Sequence, residues 1–448
     1  MIGRVRSRKI LICSPSHSVR GGVESIIDDL CRELPGYGWQ VVLGLGEGSR
    51  FNRVAEYRAA YPHLPITAID GTKGTRSARQ AALAKACKEL KPDVVLSFRL
   101  FDAYEAVASL KQRRGGGPRL AVAIRGYEPH YFFDARLYKG LIDLCVVDGT
   151  LLAAACVEWA GLEPAKVVSI PGGVRPPRRR VLPRGRCGTL RIGYVGRLSQ
   201  SDKRILDLVP LIRHLDASAL PYRLRVAGEG AEGAALREGL RPQIAEGKVV
   251  FEGWKSREEL YETVYPQLDC VVNFSAAEGV TITGREAMAH GVVPVISQFV
   301  GQRAEAQYIH GVNSLTFAVG DIPSAAANMA RLVNEPELLA HLSANAAGTQ
   351  VGKYSYSGSL AAWAEALDRC LERPPSLAPL PRLNPAPDGR LARLGIPANV
   401  AQLMRDALRR RHEHNCPGGE WPTGSGLIMD SEHAELMRFA AEYEGGYA

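Results

Sequence analysis

The 448-residue sequence contains no uninterrupted run of about 18 apolar residues, so a membrane-spanning helix is not expected. Its basic start, Met1 to Lys9, is followed by only Ile10-Leu11-Ile12-Cys13 before Ser14 and Pro15. That stretch is too short for a secretory leader and reads as a first strand, which points to a cytoplasmic protein. None of the nine cysteines forms a CxxC pair. An odd, scattered set fits buried reduced thiols rather than a disulfide framework. Cys416, with His412 and His414, offers three ligands on a tail, which do not define a metal geometry, and no metal is expected. The paired glycines at 21–22 do not form a GxGxxG, and there is no nucleic-acid motif and no internal repeat beyond a similarity between the two halves. Neither a dinucleotide nor a nucleic acid is indicated.

What is present is globular. With 46% hydrophobic and 23% charged residues the chain can fill large cores, and its length suits two α/β domains plus a remainder. The net charge of +9 is unevenly placed. Residues 1–180 hold 28 Lys+Arg against 17 Asp+Glu, a balance of +11, whereas 181–448 hold 28 against 30. Such a basic excess suits an anionic membrane surface or an anionic acceptor; a solvated surface accounts for it equally well.

Short Val/Ile/Leu-rich runs at 9–14, 40–45, 93–98, 120–124, 144–147 and 166–170 alternate with helix-length sequence. The helix expected at 23–34 carries Val23, Ile26, Ile27, Leu30 and Leu34 on one face. Continuous apolar strands separated by helices imply a parallel sheet covered on both sides. Proline, glycine and arginine at 171–180 break the pattern and mark a linker. Strands then resume at 190–196, 222–227, 248–251, 268–274, 292–296 and 314–317, and an amphipathic helix follows at 356–372. The expected organisation is therefore α/β, with a Rossmann-like domain over 1–180 and a second over 181–355. A closing helix at 356–372 and a Pro-rich linker with a C-terminal extension over 373–448 complete it.

The chemistry gathers where strands end. Glu278-Gly279-Val280-Thr281 follows the strand at 268–274 and opens a helix containing Glu286. Free amides at a helix start seat a phosphate or anionic oxygen, and a carboxylate accepts two hydrogen bonds from a sugar diol. Taken alone, two glutamates eight positions apart are more simply an ordinary helix-start acid and a surface acid. Arg197, and Lys203 after it, follow the first strand of the second half, where fixed cations could stabilise a departing diphosphate. Gly228 permits close backbone approach at the end of the next strand, and Trp254 follows the one after, where a base could sit. In the first half Gly21 and Gly22 precede a helix and make either a ligand cradle or a plain tight turn.

In order, GGVE at 21–24, Arg197 with Lys203, VAGEG at 226–230, FEGW at 251–254, the Glu278/Glu286 pair and AMAHGVVPVIS at 287–297 resemble the GT-B glycosyltransferases, specifically the retaining family 4. The resemblance covers roughly 9–372. It implies two facing Rossmann-like domains with the active site in the cleft between them, and a nucleotide diphosphate sugar held by the second. Arg197 and Lys203 would contact the diphosphate, Glu286 the ribose, and Glu278 the transferred sugar. The amides of Gly279, Val280 and Thr281 would line sugar and phosphate, and Gly21 and Gly22 would close over the donor. Neither metal nor cofactor is implied, and a glycan or lipid-linked acceptor would take the sugar by front-face attack. Many relatives carry a histidine near the reacting centre where this chain has Arg125, which could instead contact an anionic group. An epimerase on the same fold and a non-catalytic binding subunit are the competing readings. The first needs placed acid and base carboxylates beyond Glu278; the second is disfavoured by the intact Glu278, Glu286, Arg197 and Lys203.

Overall fold

A computed structural model describes residues 8–114, 116–178, 188–349, 354–381, 390–396, 398–410 and 420–446. The residues around Cys416 therefore lie outside the described part. The chain divides into two compact units. The first takes Met1–Asp148, Leu152–Ile170 and Leu360–Phe439; the second takes Gly149–Leu151, Pro171–Ser359 and Ala440–Ala448.

The first unit is built on seven strands: β1 (Arg8–Pro15), β2 (Trp39–Glu47), β3 (Ile66–Asp70), β4 (Val94–Phe98), β5 (Arg119–Ile124), β6 (Leu144–Val147) and β7 (Val167–Ser169). They lie in the order β3-β2-β1-β4-β5-β6-β7, every pair parallel. Parallel strands need crossovers, and helices supply them and cover both faces, so β4 and β6 are buried along their whole length. β3 carries no signal at the level of sequence. It is an edge strand with an only partly covered face, and its five residues include just two large apolar side chains.

The second unit repeats the plan with β8 (Leu190–Val195), β9 (Tyr222–Ala227), β10 (Val249–Gly253), β11 (Cys270–Asn273), β12 (Val293–Ser297) and β13 (Leu315–Phe317). Their order is β10-β9-β8-β11-β12-β13, again all parallel. Each sheet runs outward from its first strand in one direction and then in the other. Such a reversal opens a crevice at the carboxyl ends of the two central strands.

The C-terminal part differs most from expectation. The helix Tyr356–Glu372 is present, but from Leu360 onward it belongs to the first unit, where buried Trp363 packs 6.2 Å from the ring of Phe98. The described start of the proline-rich segment, residues 373–381, is hydrogen-bonded to the first unit. Ser376 N–H donates to Asp143 at 2.6 Å, and Arg119 donates to the Arg373 carbonyl at 2.6 Å. Further on, Trp421 is fully buried and donates from its indole to the Glu47 carbonyl at 2.9 Å. The Glu420 carboxylate accepts the backbone N–H groups of Arg50, Phe51 and Asn52 at 2.6–2.8 Å. Three backbone donors in one carboxylate fasten the tail as a helix cap would.

The same tail buries an acid. Asp134 sits beneath Gly424 and accepts the Ser425 N–H at 2.9 Å; burial outweighs that bond and pushes its pKa up to about 7. A carboxyl whose folded pKa is raised contributes stability in full below the ordinary aspartate range and loses it as pH rises through about 7. Thermal melting of wild type should therefore fall between pH 5 and 8. Asp134→Asn should flatten that slope and melt higher than wild type at pH 8. Equal slopes would contradict this assignment.

Candidate functional site

In the second sheet β8 and β11 lie side by side, with Cys270 opposite Ile192 and Val271 opposite Gly193. Their loops therefore leave the same edge together. After β8 the chain runs through Gly196 and Arg197 into a short loop in which Arg204 adopts the left-handed conformation at φ 48°. A side chain in that region costs on the order of 1 kcal/mol, so the loop shape is imposed by its contacts. Arg204 holds Asp207 at 2.8 Å, and the Leu206 N–H donates to Gln200 at 2.9 Å.

Within this loop Lys203 reaches across to Glu278 from the β11 loop and forms an ion pair with it. Ser275 donates its hydroxyl to the same Glu278 oxygen at 2.6 Å. Arg197 is exposed and donates to Asp202 at 2.6 Å, while Ser199 donates to the other Asp202 oxygen. Burial works against the Asp202 carboxylate, but Ser199, Arg197 and Lys203 outweigh it and hold its pKa below the ordinary range. The cluster thus alternates cation and anion at the edge where the strand order reverses. An anionic ligand entering it would compete for Arg197 and Lys203, whose carboxylate partners could turn to hydroxyl donors.

Glu286 lies on the helix Ile282–Ala289 and is buried, not on the surface as an isolated reading would place it. Tyr265 donates to it at 3.0 Å, and the Arg257 guanidinium stands 3.3 Å away. Arg257 comes from the segment after β10, so Glu286 joins the exits of β10 and β11. Trp254 on that segment is 40% exposed. The helix begins at Thr281 without a side-chain cap, after Gly279 and the buried Val280. The Thr281 hydroxyl is hydrogen-bonded to Tyr308.

Gly228 serves a different purpose from the one expected. A Cβ there would lie 1.8 Å from the Gly196 carbonyl oxygen, so what approaches it closely is the protein's own backbone. One at Gly230 would lie 2.2 Å from the Leu198 carbonyl oxygen. The two glycines let the β9 exit press the Gly196–Leu198 strand end into place, with Leu198 N–H donating to Glu229 O at 3.0 Å.

Three expected residues belong to the first unit and are not brought to this cluster by the fold of the second. Gly21 and Gly22 open the helix Gly22–Glu33, and a Cβ on Gly21 would strike the Glu24 carboxylate at 2.6 Å. Glu24 is buried and ion-paired with Arg99 at 2.6 Å. Arg125, expected at an anionic ligand, instead lies 3.2 Å from Asp148 and donates to the Ile170 carbonyl at 2.9 Å. Both members of that pair are almost wholly buried, which makes Arg125 a clamp between strand ends.

Sequence reasoning passed over Arg285. It is fully buried, and its three guanidinium nitrogens find no hydrogen-bond partner among the described residues. Its cation lies 5.1 Å from the Tyr354 ring, and the Tyr354 hydroxyl donates to Glu305 at 2.7 Å. A cue was present: Arg285 stands among Ala287, Met288 and Ala289 between the apolar runs at 268–274 and 292–296, and residues 284–289 are all buried. Glu444, near the end of the last helix, accepts the N–H groups of Gly301 and Arg303 at 2.8 and 3.1 Å.

Residues 189–335 match the family model described as glycosyl transferases group 1. No curated protein matches the chain in sequence. Among solved structures, the chain is similar to Anabaena HepE in complex with UDP and glucose, at 17% identity and a TM-score of 0.63 over 81% of this chain and 100% of that one. It is similar to sucrose-phosphate synthase from Thermosynechococcus elongatus at 15% identity and a TM-score of 0.66, covering 82% and 99%. A lipopolysaccharide outer core galactosyltransferase, WaaB, matches at 16% identity and a TM-score of 0.62, covering 81% and 99%. These likenesses establish a GT-B fold.

The burial of Glu286 leads to one expectation. Replacing it by alanine strands the Tyr265 hydroxyl and the Arg257 charge, so Glu286→Ala should cost about 1–3 kcal/mol in denaturant unfolding. Glu286→Gln, which keeps an acceptor, should cost clearly less. Equal losses would mean that the carboxylate charge, not the hydrogen bond, holds this helix.

Proposed function

We propose that this chain, of GT-B architecture and matching the glycosyl transferases group 1 model over residues 189–335, is a glycosyltransferase that moves a sugar from a nucleotide diphosphate donor with retention of configuration. The observation that carries this reading is the convergence of Arg197, Lys203, Ser275 and Glu278 at the strand-order reversal of the second unit. Arg197 and Lys203 bind the diphosphate, and binding breaks the Lys203–Glu278 pair. Glu278, released from the lysine, accepts hydrogen bonds from hydroxyls of the transferred sugar. Glu286, already oriented by Tyr265 and Arg257, takes the ribose hydroxyls, and Trp254 lies along the strand edge on the base side. The amides of Gly279, Val280 and Thr281 line sugar and phosphate, aided by the positive end of the helix Ile282–Ala289.

As the glycosidic bond breaks, negative charge grows on the departing phosphate, and the two cations stabilise it more in the transition state than in the ground state. That phosphate takes the acceptor proton while the acceptor attacks from the same face, so no side-chain nucleophile and no metal is required. HepE has been solved with UDP-glucose, and the G117R mutant of S. aureus TarM with Fondaparinux, alpha-GlcNAc-glycerol and UDP, which supports a uridine nucleotide donor here; the acceptor is a glycan or a lipid-linked group. We place the reaction in the cytoplasm, in the synthesis of a bacterial surface polysaccharide or glycoconjugate.

Calorimetric titration of UDP, GDP, ADP and TDP tests the donor site. One nucleotide should bind without added metal, and Lys203→Met should weaken it by roughly 10–100-fold, the worth of a charge-assisted hydrogen bond. Arg197→Ala should act in the same direction. Failure of every nucleotide to bind the folded chain would return the second unit to a non-catalytic binding role.

A further inference from the structure

In the first unit the helix Ala398–Ala407 is amphipathic, but its apolar side faces out. Its inner side carries Ala401 and Arg405, both buried, and Lys73 fastens it through Asp406 at 2.8 Å. The outer side presents Val400, Leu403, Met404 and Leu408, exposed by 41, 68, 40 and 66%, and the preceding turn adds Leu394 at 76%. Positions 400, 403, 404 and 408 fall on one stripe of a helix. Isolated exposed leucines need no explanation, but a contiguous row of this kind marks a surface that meets something. Exposed arginines stand at both ends, Arg390 before the row and Arg409 and Arg410 after it.

We propose that this row is a docking surface for an anionic lipid membrane, with Leu394, Leu403, Met404 and Leu408 entering the headgroup boundary and Arg390, Arg409 and Arg410 meeting lipid phosphates. An apolar stripe bounded by arginine is the pattern of a helix lying in the plane of a bilayer surface. No helix among the described residues is long and apolar enough to cross a membrane, so the contact is interfacial. Residues 1–148 and 152–170 of the same unit hold 24 Lys+Arg against 17 Asp+Glu, a balance of +7, which supplies attraction toward that surface at longer range. A protein partner fits less well, since the row has no aromatic residue and protein interfaces are rich in them. A second copy would bring like-charged arginines together around the same patch.

Flotation of the full chain with vesicles tests this. With phosphatidylcholine containing phosphatidylglycerol at low salt the protein should float, and with phosphatidylcholine alone it should bind at least about tenfold more weakly. The double variant Leu403→Asp/Leu408→Asp should lose at least about tenfold on the anionic vesicles, because two buried leucines are exchanged for charges. Both side chains are exposed, so its melting should match wild type; if it does not, Leu394→Asp alone carries the same test. No flotation of wild type on anionic vesicles, or equal flotation of wild type and variant, overturns the proposal. So does a wild-type dimer in sedimentation that the variant dissolves, since the row would then be a contact between copies. The result is separate from the donor site: a chain that binds nucleotide but not vesicles refutes only this inference.

Discussion

The candidate site depends on one constraint, the adjacency of β8 and β11 in a parallel sheet. Parallel pairing sends both strands out at the same edge, and the crossover helices keep that edge clear of returning turns. Lys203 and Glu278 are 75 positions apart in sequence, yet they meet because their loops leave neighbouring strands. The glycines at 228 and 230 act on the same geometry from the other side, letting the β9 exit lie against the β8 exit with backbone touching backbone. A side chain at either would push the Gly196–Leu198 segment away and carry Arg197 and Lys203 with it. The unusual Arg204 conformation shows how tightly that loop is already held.

The site is occupied by its own counter-charges. Arg197 rests on Asp202, Lys203 on Glu278, and Glu286 on Tyr265 and Arg257. Such pairing lets a cluster of ionised groups persist at a half-buried edge, where unpaired charges would be costly. It also means that ligand binding is an exchange of partners: only the difference between the new contacts and the broken ones appears as affinity. Glu286 is the better anchored of the two glutamates, since it is buried and one of its partners, Tyr265, belongs to the core. Glu278 is held by one lysine and one serine, which a ligand can replace.

Much of this was legible in the sequence. The apolar runs at 9–14, 93–98, 120–124 and 144–147 mark buried parallel strands because both faces are covered, and the same holds for 268–274 and 292–296. Ile66–Asp70 lacks that signature, because Thr67 and Asp70 interrupt its apolar residues and only Ile69 is buried, so it was invisible. The positions of Arg197, Lys203 and Glu278 followed from strand ends, but their mutual pairing could not, since it is set by strand order. Gly228 was read as a place for a ligand; only coordinates show that the Gly196 carbonyl fills the space. Arg125 looked like an anion contact because Asp148, its partner, sits at the end of a different strand. The contacts made by the first residues of the proline-rich segment were hidden for a related reason. Proline content predicts extended backbone correctly, but an extended strip can still be hydrogen-bonded in place, as Ser376 and Arg373 are. Glu420 and Trp421 then bury themselves against β2, a contact with no local sequence signal.

The central claim is that the diphosphate of a donor sits between the exits of β8 and β11 and displaces the Lys203–Glu278 pair. A crystal structure of the protein soaked with its preferred nucleoside diphosphate measures this directly. The account requires phosphate oxygens within hydrogen-bond distance of Arg197 and Lys203, with Glu278 parted from Lys203. A nucleotide bound elsewhere, with the Lys203–Glu278 pair intact, would contradict it.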